Sequence, residues 1–284
     1  MRAASFAGAS RWGKLAAKRK IMKGPLYRAV GSLVETSPID ETDCLGVTEQ
    51  LLTEALRDHY ERRVPIILRG AVSNQQAILR WKDWDYLEIA ADPNTLCHAE
   101  VGGNYTESER IDIHFGDYVA YLRLFEERYG RSGESNPPPE SLVYLAQNDI
   151  IPDLLSDMTI PSFCQELGEG QQYSIMMWIG PYGCLSPLHF DPLDNALMQF
   201  VGSKRVLLYP PDTHLWAGTK GHQSNTSPFN PEEPHDVAEY PMLDNLPAAM
   251  DGVLSPGDVL FIPKKWWHHI RTIETSISVN AWWR

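Results

Sequence analysis

Cysteine is sparse in this chain of 284 residues: Cys44, Cys97, Cys164 and Cys184, no two of them spaced as a C-x-x-C pair. With no apolar secretory segment either, the four read as buried free thiols of a reducing compartment. No stretch of 18 uncharged apolar residues occurs, which excludes a transmembrane helix. Glycine (20) and proline (21) are too few and too scattered for a collagen-like or low-complexity chain. Acidic residues are missing from the first 34 positions, which carry Arg2, Arg11, Lys14, Lys18, Arg19, Lys20, Lys23 and Arg28. The rest therefore holds 17 Lys and Arg against 37 Asp and Glu, within a formal net charge of −12. So acidic a body argues against direct nucleic-acid binding. It suits a cationic protein or peptide partner, and equally a plain solvated surface.

What is present is an ordinary globular composition, 43% hydrophobic and 10% aromatic, with 9 Trp. Residues 1–40 read as a basic helical segment. Lys18-Arg19-Lys20 fits a nuclear import signal, and the acid-free start with Ser5 and Ser10 fits an organellar transit peptide. Nucleus and cytoplasm are the expected compartments, with the mitochondrion as the alternative. Apolar spacing predicts helices over 47–63, 74–91 (broken at Lys82-Asp83-Trp84) and 116–129, and a strand at 64–68. From residue 142 the texture changes to short apolar runs, at 142–146, 173–180, 196–201, 204–209, 253–254 with 259–262, 266–273 and 276–283. Strands in series without intervening helices predict a sandwich, jelly roll or barrel. The polar stretch from Pro210 to Met250 is too long for an idle connection and reads as functional or disordered.

The most informative segment is Ser186-Pro187-Leu188-His189-Phe190-Asp191-Pro192. On a strand, residues i and i+2 share a face, so the His189 imidazole and the Asp191 carboxylate both reach one cation. A third ligand comes from elsewhere, and His268 in Trp266-Trp267-His268-His269 is the candidate. His268 and His269 face opposite sides of a strand, so one of them at most contributes. Two His and one carboxylate form the facial triad of non-haem Fe(II) oxygenases. A His-x-Asp pair is common by chance, and a histidine capped by an aspartate in a turn gives the same letters. Lys204 opens an otherwise apolar strand. It reads as the anchor of a distal carboxylate or as an exposed hairpin lysine after Gly202-Ser203.

Together these segments resemble the JmjC family of Fe(II)- and 2-oxoglutarate-dependent oxygenases, in particular the lysine-specific demethylase 8 type and its asparaginyl hydroxylase relative. The resemblance is carried by Trp178-Ile179-Gly180-Pro181, Ser186 to Asp191, Asn195, Lys204, and Pro256-Gly257-Asp258 through Trp267-His268. Val64 to Gly70, Glu100-Val101-Gly102 and Tyr144-Leu145-Ala146-Gln147 add to it. It covers about residues 40–284, so the oxygenase domain is expected over 41–284 with its core from about 142. The resemblance implies a mainly β fold, a double-stranded β-helix (jelly roll) with flanking α-helices. It implies Fe(II) on His189, Asp191 and His268, 2-oxoglutarate and O2 as cosubstrates, and Tyr144, Ser186 and Lys204 at the distal carboxylate. Asn195 and Asn280 match positions near the metal-proximal end of the cosubstrate, Trp178 lines the substrate cleft, and Gln199 matches without a clear role. The implied activity is hydroxylation or N-demethylation of a basic side chain, arginine or methyl-lysine, in a protein. An RNA hydroxylase and a catalytically silent chromatin-binding module are the alternatives. The dimerising C-terminal helices of the asparaginyl hydroxylase have no counterpart, so a monomer is expected.

Overall fold

A computed structural model describes residues 34–102, 109–133, 135–215, 225–233 and 246–284. The basic stretch 1–33 lies outside them, as do parts of the polar segment after Pro210. Among the described residues no helix is long and apolar enough to cross a membrane.

The architecture is the expected jelly roll. Strands β1 (Thr36–Pro38), β11 (Ala249–Leu254), β10 (Lys204–Tyr209), β13 (Trp267–Thr272) and β8 (Leu185–Phe190) form a five-stranded sheet in that order. A nine-stranded sheet faces it. Its order is β2 (Asp40–Asp43), β3 (Ile66–Arg69), β12 (Val259–Ile262), β9 (Asp194–Val201), β14 (Ser276–Trp283), β7 (Gln172–Gly180), β6 (Val143–Asp149), β4 (Leu96–Val101) and β5 (Glu109–His114). The chain thus enters the sheets at Thr36, a few residues before the boundary expected at 41.

Helices cover the outer side of the large sheet. Helix α1 (Glu49–Arg62) starts where the Thr48 side chain accepts from the Leu51 amide, and ends at Arg63 in a left-handed conformation, φ 58°. It buries Leu52, Thr53 and Leu56. Two short helices, α2 (Gln76–Arg80) and α3 (Trp84–Ala90), occupy the helical stretch expected over 74–91, with the break at Lys82-Asp83-Trp84 as expected. The break comes where Asp83 caps α3 by accepting from the Asp85 amide. Helix α4 (Phe115–Tyr129) buries Phe115, Tyr118, Val119, Leu122 and Phe125, a stripe at helical spacing.

β14 positions the site. All eight of its residues are buried, because it is covered on both faces. Ile277, Val279, Ala281 and Trp283 join the core under the helices. Ser278, Asn280 and Trp282 alternate with them and point between the sheets, where they meet Lys204, Trp178 and Asp191.

The β4–β5 hairpin was not expected from the sequence. Its strands read Leu-Cys-His-Ala-Glu-Val and Glu-Arg-Ile-Asp-Ile-His, and their charged residues hide the alternation.

Gly180 ends β7 against the Tyr144 ring. A Cβ there would lie 2.6 Å from the Tyr144 ring and 3.1 Å from Cys184 Sγ. Gly180→Ala is expected to lower stability by about 1–3 kcal/mol through overpacking, as read by chemical denaturation.

Candidate functional site

His189 on β8 and His268 on β13 are direct cross-strand partners in an antiparallel pair, and their ring centroids are 4.1 Å apart. His189 Nδ1–H donates to the carbonyl of Pro187 at 2.7 Å, and His268 Nδ1–H to that of Trp266 at 3.0 Å. The two rings are held alike, each by the backbone two residues earlier, which makes Nε2 the lone-pair nitrogen of each. Asp191 follows the end of β8. One ligand atom from each of the three residues lies within 4.8 Å of the others.

The protonation states suit a cation. Burial, with His189 alongside, lowers the His268 imidazole to about 4, so it is neutral at neutral pH. Burial pushes the Asp191 carboxyl up. His268 and His189, with hydrogen bonds from Trp282 and Asn195, bring it net below its ordinary value.

Asp191 is held by a directional chain. Trp282 Nε1 donates to Asp191 Oδ2 at 2.9 Å, and Asn195 Nδ2 donates to the same oxygen at 3.4 Å. Asn280 Nδ2 donates to Asn195 Oδ1 at 3.2 Å, and Trp178 Nε1 donates to Asn280 Oδ1 at 2.8 Å. Each amide is therefore oriented by its neighbour. The cleft-lining Trp178 is wired to the carboxylate through Asn280 and Asn195. Such outer partners fix a ligand's geometry and basicity.

Lys204 lies in the same cavity and is only 2% exposed, so the exposed-hairpin alternative is excluded. Its Nζ donates to Ser278 Oγ at 2.7 Å and to Tyr144 Oη at 3.4 Å, and lies 5.7 and 6.0 Å from the Tyr144 and Trp178 rings. No carboxylate among the described residues forms an ion pair with it, and burial lowers its ammonium to about 7. Buried charges are ordinarily paired. Lys204 has no such partner among the described residues.

All nine residues singled out from the sequence line this one cavity: Tyr144, Trp178, Ser186, His189, Asp191, Asn195, Lys204, His268 and Asn280. Gln199 does not. Its side chain donates to the carbonyls of Val201 and Gly202 and closes the β9–β10 turn. His269 faces the other side of the sheet, against Glu232. Sequence reasoning missed Ser278, Trp282 and Gln147. The first two were legible in the alternation of Ser278, Asn280 and Trp282. Gln147 was not, because it reaches the cavity through a bulge in β6 that puts it at φ 53°.

The donor set fits a divalent metal beside a dicarboxylate. Lys204→Met is expected to leave the free protein as stable or more stable, since it removes an uncompensated buried charge. It should nonetheless abolish 2-oxoglutarate binding; calorimetry and thermal melting read the two effects. The pH dependence follows from a folded pKa below the ordinary value for lysine. Below about pH 7 the folded protein carries the ammonium that an anion needs. Above it, 2-oxoglutarate affinity should weaken by up to about tenfold per pH unit, while stability of the free protein rises because the unfolded chain still binds that proton.

The family model for the cupin-like domain matches residues 52–284. Lysine-specific demethylase JMJ30 of Arabidopsis thaliana is 34% identical over 233 residues, 80% of this chain and 52% of that protein. Lysine-specific demethylase 8 of Xenopus tropicalis is 33% identical over 238 residues, 81% of this chain and 50% of that protein. Jumonji C domain-containing protein 5 of Drosophila melanogaster is 32% identical over 232 residues, 79% of this chain and 55% of that protein. The chain spans about half the length of these curated relatives. The jelly roll, the His-Asp-His cluster between its sheets and these likenesses agree, and the chain belongs to the cupin-like domain family, among its JmjC members.

Proposed function

We propose that this protein is an Fe(II)- and 2-oxoglutarate-dependent dioxygenase that oxidises a basic side chain, arginine or methyl-lysine, of a protein substrate. The observation that carries the reading is the pairing of the His189-Asp191-His268 cluster with an unneutralised buried lysine in one cavity. Relatives named lysine-specific demethylases support it.

Under this reading His189 Nε2, His268 Nε2 and the Asp191 carboxylate would hold Fe(II), as a facial triad does. Lys204 and Tyr144, with the hydroxyls of Ser278 and Ser186, hold the distal carboxylate of 2-oxoglutarate. Asn195 and Asn280 flank its metal-proximal end. Fe(II) with bound 2-oxoglutarate and O2 supplies the oxidising power, releasing succinate and CO2 and delivering one oxygen atom to a substrate C–H. The protein's part is to orient the target carbon and keep water out, with Trp178 and Trp282 as apolar walls. On an arginine side-chain carbon not bonded to nitrogen the product is the alcohol. On an N-methyl carbon the hemiaminal collapses to the free amine and formaldehyde.

Glu100 supports a basic target. It is the cross-strand partner of Tyr144 in the β4–β6 pair and so shares its face. It is 4% exposed, and its Oε2 has no hydrogen-bond partner among the described residues. Burial raises its carboxyl to about 7 against the opposing pull of Arg110. A guanidinium or ammonium head would satisfy it, as the acidic body would attract the peptide carrying that head.

Succinate release with Fe(II), O2 and 2-oxoglutarate, stimulated by arginine- or methyl-lysine-containing peptides, is the expected result for the native protein. Asp191→Ala should abolish it. Glu100→Gln should lower turnover of basic peptides by about 10- to 100-fold while leaving peptide-independent 2-oxoglutarate decay in place. Equal loss of both activities in Glu100→Gln, or no succinate from the native protein, would overturn the corresponding assignment.

A further inference from the structure

The β8 strand bears His189 and is the terminal strand of its sheet. An edge strand presents unpaired backbone groups and is the part of a sheet most prone to move. Here the edge is closed by a piece of the long polar segment. Phe190 N donates to the Asn225 carbonyl at 3.0 Å, Ser227 N donates to the Leu188 carbonyl at 2.8 Å, and Asn225 Nδ2 donates to the Phe190 carbonyl at 3.0 Å. His189 and Thr226 form the bridge between these bonds.

The same piece is tied down at its other end. Phe229 packs with Leu188, Leu207, Leu215 and Trp267 on the outer face of the small sheet. Glu232 then accepts from Arg205 Nη1 at 3.1 Å, from Arg271 Nε at 2.7 Å and from His269 Nε2 at 3.1 Å. Arg205 is on β10, and His269 and Arg271 are on β13, so one carboxylate locks the segment to β13, the neighbour of β8, and to β10 beyond it. Glu232 is 13% exposed and Arg205 15%, so this lock is shielded from solvent and worth more than an exposed pair.

We infer that residues 225–233 are a strap that sets the position of His189, and that Glu232 is a positioning residue for the candidate metal site although it faces away from the cavity. This rests on the ligand assignment above. It gives the polar segment after Pro210 a role in holding a ligand strand.

The test compares the native protein with Glu232→Gln and Glu232→Asp, using Mn(II) titration and residue-resolved hydrogen exchange. For Glu232→Gln the strap predicts faster exchange at the Phe190 and Ser227 amides, unchanged exchange in β9 and β14, and Mn(II) affinity weakened about tenfold. Glu232→Asp should recover part of both. Native exchange at Phe190 and Ser227 in Glu232→Gln, or loosening spread evenly over both sheets, would overturn the strap. If the native protein binds no Mn(II), the ligand assignment fails, and exchange at Phe190 and Ser227 still decides whether the strap exists.

Discussion

A lysine ammonium enclosed between two sheets without a carboxylate is the constraint from which the rest of this site follows. Lys204 is buried, lowered to about 7 by desolvation, and among the described residues meets a hydroxyl from Ser278, a phenol from Tyr144 and two aromatic rings. A fold that needed only stability would place a hydrophobe there. Retaining the charge makes sense where a ligand brings the opposite charge, which is the role proposed for Lys204. At its other end the same cavity offers two imidazoles and a carboxylate, the donor set of a divalent transition metal. Under the proposed function a keto dicarboxylate would bridge this pair of sites.

The geometry is delivered by strand register rather than by loops. His189 and His268 meet because β8 and β13 pair antiparallel with those two residues opposite. Ser278, Asn280 and Trp282 reach Lys204, the Trp178–Asn195 chain and Asp191 because they are alternate residues of β14. A one-residue slip of β14 would bring Ile277, Val279, Ala281 and Trp283 into the cavity and send the polar set under the helices. Burial of β14 on both faces therefore fixes the register and the chemistry together.

Much of this was legible in the sequence, for physical reasons. The period-2 argument for His189 and Asp191 needs only a strand, and the opposed faces of His268 and His269 follow from the same rule. The helical stripe of α4 appears directly in residues 116–129. Strands rich in charge were hidden: β4 and β5 alternate too weakly to stand out. The Lys204 environment was undecidable from one strand, because its burial depends on Tyr144, Trp178 and Ser278 from three others. Gln147 depends on a bulge and Glu232 on contacts with Arg205, His269 and Arg271, none of which leaves a local pattern.

The most direct test of the central claim is an anaerobic crystal structure with Fe(II) and 2-oxoglutarate, using anomalous scattering at the iron edge. The account predicts one iron peak bounded by Nε2 of His189, Nε2 of His268 and the Asp191 carboxylate, with the distal carboxylate of 2-oxoglutarate on Lys204 Nζ. Iron bound elsewhere, or a 2-oxoglutarate whose distal carboxylate leaves Lys204 without an anion, would contradict it.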